Sequence, residues 1–388
     1  MPTTQVTLPQ GVAEGLDEGA VRVFLSLPYA APLTPERRFR APAPPENWSG
    51  IRDATKPGSA APQNPPETIE GIDIEPLMGK PTPVEPDYLT LNVFAPSGAG
   101  AKRPVMVFIH GGSFVAGSKD APIYDGRAFA RDGVVCVVIN YRLGIEGFAP
   151  LEGVPTNLGL RDMIAALEWV QSNIHAFDGD AGNVTAFGES GGAFCISALM
   201  TSPLCEGLFH HAICQSGHPH VTRDRKVMER VTKRLAQRLR VPPTREGFLS
   251  VSIERMLQAQ AWVMKPSFFL DLRDDQGRDP SYGITRFLPV HGDDVLPTPA
   301  FEAWSQGAGR DIDLLIGATS EEANLFLVPG GGRDKVNAFV AKLFVGRALP
   351  RRASAGCLWV EKIWRKARLR AGSCADGSHV SRHDPSRG

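Results

Sequence analysis

Apolar positions along this chain fall into short unbroken runs that alternate with longer periodic stretches. Residues 105–109 (VMVFI) and 134–139 (VVCVVI) are apolar runs rich in β-branched side chains, bounded by Pro104, Gly111 and Gly133. Such runs predict strands buried on both faces. Between 158 and 174, Leu160, Ile164, Leu167, Val170 and Ile174 recur at helical spacing and predict a helix with one apolar face. A strand is expected at 184–187, a helix over 193–200 that stops before Pro203, and further short strands around Ile213 and at 314–316. Strands alternating with helices predict an α/β fold, with a mostly parallel central sheet and helices on both faces. Residues 20–66 break the rhythm: their ten prolines suit extended turns and loops and exclude helix. No internal repeat is present.

Composition narrows the class without naming it. A chain of 388 residues accommodates one large domain or two ordinary ones. Formal net charge is zero, so no global field draws the chain to nucleic acid or to an anionic membrane. No apolar stretch reaches the ~18 residues that a membrane span requires. The first 20 residues lack the basic and apolar regions of a secretory signal, which predicts either a cytoplasmic location or a signal already removed, with the cytoplasmic location preferred. Six cysteines (136, 195, 205, 214, 357 and 374) form no Cys-x-x-Cys pair, which argues against a zinc ribbon and predicts reduced, mostly buried thiols.

The charge is unevenly spread. Residues 341–388 carry 11 Lys and Arg against 3 Asp and Glu, whereas the preceding 340 residues carry 31 against 39. This predicts a folded domain over 1–340, followed by a basic, atypical and poorly ordered tail over 341–388.

Three short motifs carry chemistry. Residues 188–192 read Gly-Glu-Ser-Gly-Gly, a G-x-S-x-G pattern between the 184–187 strand and the following helix. The pattern alone is weak in a glycine-rich chain; its strand-to-helix setting is what lifts Ser190 onto a tight, exposed turn. The alternative is a glycine-rich turn with no chemistry. Residues 110–114 read His-Gly-Gly-Ser-Phe after the strand ending at Ile109. Glycines there let backbone N–H groups turn inward to hold a developing oxyanion. Gly112, Ser113 and Gly191 are the expected donors, and His110 is read as a structural hydrogen-bonding group. Residues 317–322, after the 314–316 strand, end in Glu321 and Glu322. A carboxylate at a strand's C-terminal end can orient a histidine, although paired glutamates in a loop are commonly a solvated surface.

Taken together, the motifs resemble the type-B carboxylesterase family, which contains the para-nitrobenzyl esterases and the cholinesterases. The resemblance runs over residues 11–326. It includes Leu27-Pro-Tyr-Ala30, Leu89-Thr-Leu-Asn-Val93, the 110–114 loop and Asn140-Tyr-Arg-Leu-Gly144, then Asn157-Leu-Gly-Leu-Arg-Asp162, Gln215-Ser-Gly217 and Ser320-Glu-Glu-Ala323. It implies an α/β-hydrolase fold, Ser190 as nucleophile and Glu322, rather than Glu321, as the acid of a triad. Gly112, Ser113 and Gly191 would form the oxyanion hole, and Arg142 with Asp162 an ion pair beneath the site.

Three departures stand out. Pro86-Asp87-Tyr88 stands where the family carries Glu-Asp-Cys, so one cysteine of its first disulfide is absent. Gly191 replaces the family's alanine. The family's catalytic histidine sits in a Gly-x-x-His-Gly/Ala-x-Glu/Asp setting well beyond the acid. His379 and His383 are the histidines after Glu322, and neither has that setting. They read as chance histidines of a replaced C-terminus, with the family's last strand and helices missing.

The chain is therefore expected to be a serine carboxylic-ester hydrolase acting on small-molecule esters through an acyl-enzyme on Ser190. No metal or organic cofactor is needed, and no nucleic-acid or membrane partner is implied. His210-His211 and His218-Pro-His220 could suggest a metal site, but lack carboxylate or cysteine partners nearby. The alternatives are an esterase fold that binds without catalysing, or a truncated product impaired by loss of the triad histidine.

Overall fold

The computed structural model describes residues 2–64, 73–79, 85–98, 100, 102–265, 270–277, 279–281 and 285–322. His379, His383, Cys357, Cys374 and the 341–388 tail lie outside the described residues.

Twelve strands and nine α-helices are described. The strands are β1 (Thr3–Leu8), β2 (Gly11–Asp17), β3 (Val21–Pro28), β4 (Ile51–Asp53), β5 (Thr90–Pro96), β6 (Arg103–Ile109), β7 (Val135–Ile139), β8 (Gly179–Glu189), β9 (His211–Gln215), β10 (Arg223–Asp224), β11 (Val290–His291) and β12 (Asp313–Gly317). The helices are α1 (Glu75–Met78), α2 (Arg127–Arg131), α3 (Gly144–Phe148), α4 (Leu158–Asn173), α5 (Gly191–Leu199), α6 (Arg225–Leu239), α7 (Arg245–Leu249), α8 (Ile253–Met264) and α9 (Ala300–Ser305).

Ten strands form one sheet in the order β1-β2-β3-β5-β7-β6-β8-β9-β12, with β4 attached to β2. From β7 to β12 every pairing is parallel, in registers such as Val107↔Val137, Phe187↔Ile213 and Leu315↔Ile213. From β1 to β7 the pairings along the path are antiparallel. The sheet is thus mixed, and its parallel half is the half the apolar runs predict. The antiparallel half includes β3, inside the segment read as loops. β1–β2 and β2–β3 are hairpins, β3 pairs with the distant β5 across a bulge between Phe24 and Leu27, and the strands mix apolar with polar positions, with glycine in β2.

The unbroken apolar runs are explained by burial on both faces. Val105, Val107 and Ile109 of β6, with Val135, Val137 and Ile139 of β7, join one core cluster with α4 and α5 residues such as Leu160, Leu167 and Ile196. Phe108, Cys136 and Val138, whose side chains alternate to the other face, join a second cluster with Val23, Phe94, Ala130 and Phe187. The last strand on the path, β12, exposes Leu314, Leu315 (65%) and Ile316. Among the described residues no helix is long and apolar enough to cross a membrane.

Candidate active site

Each of the three motifs that carry chemistry follows the C-terminal end of a parallel strand. The 110–114 loop follows β6, Ser190 follows β8, Ser216 follows β9, and Glu322 lies five residues beyond the end of β12. Parallel strands place these ends side by side along one edge, where open α/β sheets bind ligands.

Ser190 is the turn residue between β8 and α5. Its backbone has φ 50° and ψ −118°, a strained conformation for a residue with a Cβ. Strain at this point lifts the side chain clear of the strand. The turn is fixed by Ser190 N–H donating to Gln215 O at 2.9 Å and by Phe194 N–H donating to Ser190 O at 2.9 Å. It is also tight: a Cβ on Gly192 would lie 1.9 Å from Ile109 O, and one on Gly188 2.6 Å from the same oxygen. Larger residues at 188 and 192 would drive β8 and α5 away from β6.

The 110–114 loop faces this turn. Gly112, Ser113 and Phe114 have φ of 104°, 53° and 65°, three consecutive residues in the left-handed half of backbone space. Successive N–H groups in such a turn point to one side and form an anion-binding concavity. The carbonyls of the loop are anchored one by one. Tyr141 Oη donates to His110 O at 2.8 Å, and His110 Nδ1 lies 2.9 Å from Gly111 O. Val115 and Ala116 N–H both donate to Gly112 O at 3.0 Å, and Gly144 N–H donates to Phe114 O at 2.7 Å. Within a planar trans peptide the C=O and the following N–H point in opposite directions. Anchoring each carbonyl therefore sets the direction of the next N–H. The N–H groups of Gly112, Ser113 and Phe114 donate to no acceptor among the described residues. Gly191 opens α5, so its N–H has no partner within the helix. A Cβ on Gly191 would stand 3.5 Å from both Ser113 N and Phe114 N, and one on Gly111 would stand 3.3 Å from Ser190 Cβ. The loop amides, the Gly191 turn and Ser190 are thus neighbours.

His110 is fully buried, its ring stacked on Tyr141 with centroids 4.5 Å apart. Burial pushes its pKa down to about 4, so it is neutral at pH 7, and the contact to Gly111 O assigns its proton to Nδ1. Arg142 and Asp162 are both without exposed side-chain surface, paired Nε–Oδ2 at 2.7 Å and Nη2–Oδ1 at 2.6 Å, with Arg142 Nη1 donating to Arg40 O. This pair ties the segment after β7 to α4.

Glu322 reaches back across β9. Its Oε1 accepts from Ser216 Oγ and from Thr319 N–H at 2.8 Å, and these bonds hold its pKa below the usual carboxylate value. Ser216 is itself held by its N–H to Gly317 O at 2.7 Å, and it adjoins Gln215, which anchors Ser190. Glu189, just before the nucleophile candidate, has its carboxyl raised by burial and then by the charge of Glu322. Among the described residues no histidine hydrogen-bonds to Ser190 or to Glu322. Ser216 is the residue that the motif reading left without a role, although it stands inside the quoted Gln215-Ser-Gly217 segment.

The histidine pairs have neighbours of other kinds. His211 Nδ1 lies 3.2 Å from Asp313, and His220 stacks on Phe301 with centroids 3.7 Å apart. Among the described residues no group of three or more His, Cys, Asp or Glu side chains is placed to hold an ion.

A mixed sheet with helices around it, and a strained serine turn facing a glycine-rich loop at its strand ends, defines a protein of the α/β-hydrolase fold. The chain belongs to the carboxylesterase family, whose sequence model matches residues 2–368. It is 38% identical over 335 residues to the para-nitrobenzyl esterase of Bacillus subtilis (strain 168), covering 84% of this chain and 64% of that one. It is 36% identical over 341 residues to the phenmedipham hydrolase of Pseudarthrobacter oxydans, covering 85% of this chain and 65% of that one. Among solved structures it resembles a carboxylesterase of Geobacillus stearothermophilus, with TM-score 0.75, 35% identity, and coverage of 89% of this chain and 67% of that one. The chain thus spans just under two thirds of the length of these curated relatives. The family match also runs past residue 341, where the charge balance changes.

Proposed function

We propose that this chain is a serine carboxylic-ester hydrolase that takes small-molecule esters and forms an acyl-enzyme on Ser190. The observation that carries the reading is the facing of two strained turns: Ser190 on the β8–α5 elbow, and the left-handed Gly112–Phe114 turn, whose amides are left unpaired. Ser190 Oγ gives up its proton as it attacks the ester carbonyl, the carbonyl oxygen takes the charge, and the Gly112, Ser113 and Gly191 N–H groups hold it. Collapse of this intermediate breaks the bond to the alcohol, which leaves with a proton, and water then cleaves the acyl-enzyme to release the acid and restore the hydroxyl. Glu322, fixed by Ser216 and Thr319, supplies the negative charge that orients and stabilises a protonated base. On this reading Ser190 is the nucleophile, the three N–H groups are the oxyanion donors and Glu322 is the acid, and the proton acceptor is not assigned among the described residues. Loss of one triad member leaves roughly 10³–10⁴-fold acceleration over water from oxyanion hole and binding.

Attack by serine needs no metal or organic cofactor. A reducing, cytoplasmic setting fits the free thiols of Cys136, Cys195, Cys205 and Cys214, all buried, with those of Cys136, Cys205 and Cys214 pushed up to about 12 by burial and so kept protonated and inert. The test is stoichiometric. Mixing the protein with a para-nitrophenyl ester should release about one equivalent of nitrophenolate per chain in a rapid phase that Ser190→Ala lacks. An equal rapid phase in Ser190→Ala would remove the reading.

A further inference from the structure

The carbonyl of Ser113 is held by a side chain from a distant part of the sequence. Thr285 Oγ1 lies 3.0 Å from Ser113 O, 172 residues away along the chain, and Thr285 is buried. A hydroxyl has one proton to give. The other acceptor in reach, Phe287 O, is farther, at 3.3 Å, while Phe287 N–H donates to Thr285 Oγ1 at 3.2 Å. The proton therefore goes to Ser113 O. Thr285 sits in a buried network: Ser281 Oγ lies 2.9 Å from the Thr285 carbonyl and 2.8 Å from Asp279 Oδ1, its one proton shared between the two acceptors. Asp279 pairs with the buried Arg223 at 2.6 Å, and Arg223 Nη1 donates to Arg286 O at 3.2 Å. A buried ion pair thus braces the short segment that touches the loop.

We propose that Thr285 is a positioning residue for the oxyanion loop, holding the Ser113–Phe114 peptide so that its N–H faces the Gly191 turn. This inference rests on the reading of that loop as the oxyanion hole. The physical case is peptide planarity. Each of the other loop carbonyls from His110 to Phe114 is anchored by a residue of the same or an adjoining turn. Ser113 has no such local partner, and with φ at 53° its peptide is free of the β-sheet ladder that would otherwise fix it. Without the Thr285 hydroxyl, Ser113 O would be a half-buried acceptor with no donor. The 113–114 peptide would gain by rotating that oxygen toward water. This rotation would carry the Phe114 N–H away from the Gly191 turn and, through the backbone torsions of Ser113, loosen the neighbouring 112–113 peptide that carries the Ser113 N–H donor.

Thr285→Val keeps the shape and removes the donor, Thr285→Ser keeps the donor, and Thr285→Ala removes it with less crowding should the valine variant fold poorly. In crystal structures of the purified full chain, the 113–114 peptide should be rotated in the Val or Ala variant and unmoved in the Ser variant. An unmoved peptide in the Val or Ala variant overturns the proposal whether or not the protein reacts with esters. The kinetic arm uses a fluorophosphonate. The first-order constant for bond formation should fall about tenfold in Thr285→Val, a fraction of the 10²–10³ lost with a whole donor. The constant for the initial reversible complex should stay unchanged, and Thr285→Ser should restore the rate. A purely structural role would lower the amount of folded protein without splitting the two constants. Labelling that persists in Ser190→Ala strikes the esterase reading alone, because the crystal structures decide the positioning role separately.

Discussion

Gly112 has φ 104°, and a Cβ there would lie 2.1 Å from Ala116 O, a backbone atom that cannot swing aside. Gly191 differs: the same addition would meet Ser113 N and Phe114 N at 3.5 Å, an ordinary contact. The two glycines therefore give opposite expectations. Gly112→Ala should displace the loop and lower the rate of the nitrophenolate burst by about 10²–10³, the scale of one lost oxyanion donor, while Gly191→Ala should change it only a few-fold. Equal rates for the two variants would show that the loop is not the charge-stabilising element. At this scale the sequence exposes only part of the site. Gly112, Ser113, Ser190 and Gly191 are legible because strained turns demand small residues in a fixed order. Ser216 and Thr285 are not, because a polar contact spanning 106 or 172 residues leaves no period along the chain.

At the scale of elements, the junction between β6 and its loop is set by His110. Its ring packs between Tyr141 and Tyr124, and burial holds its pKa at about 4, below the ordinary value of 6.5. Between these two values the unfolded chain binds a proton that the folded chain does not. Stability therefore falls as pH drops from 6.5 towards 4, by about 3 kcal/mol for this one group, and is insensitive to His110 above 6.5. Urea unfolding midpoints should decline over that window in the native chain, and the decline should be shallower in His110→Gln. The same slope in both proteins would contradict a buried neutral imidazole. Elements buried on both faces, β6, β7 and β8, announce themselves as apolar runs, and α4 by its period. The antiparallel strands β1 and β2 do not, because partial burial mixes polar and glycine positions into short segments, and β3, although it packs on both faces, is interrupted by Arg22 and Ser26 and ends at Pro28. In the structure Thr3–Leu8 buries only Val6 and Leu8.

The whole molecule divides its work between the two halves of one sheet. The antiparallel half from β1 to β5 contributes core and no candidate catalytic group. The parallel half carries all of them at strand ends: the amide loop after β6, Ser190 after β8, Ser216 after β9 and Glu322 after β12. Parallel order follows from crossover helices, which return each strand to the same end of the sheet, so residues scattered from 110 to 322 converge. Membership in the carboxylesterase family over residues 2–368 agrees with this arrangement. On the proposed function, this convergence activates one hydroxyl, that of Ser190, among many. The most direct measurement is to treat the protein with a fluorophosphonate, digest it and locate the adduct by mass spectrometry. One phosphonylated peptide is expected, carrying the label on Ser190, lost on prior unfolding in urea and absent from Ser190→Ala. No adduct on folded protein, or an adduct on another serine with Ser190 unmodified, would contradict the proposed function.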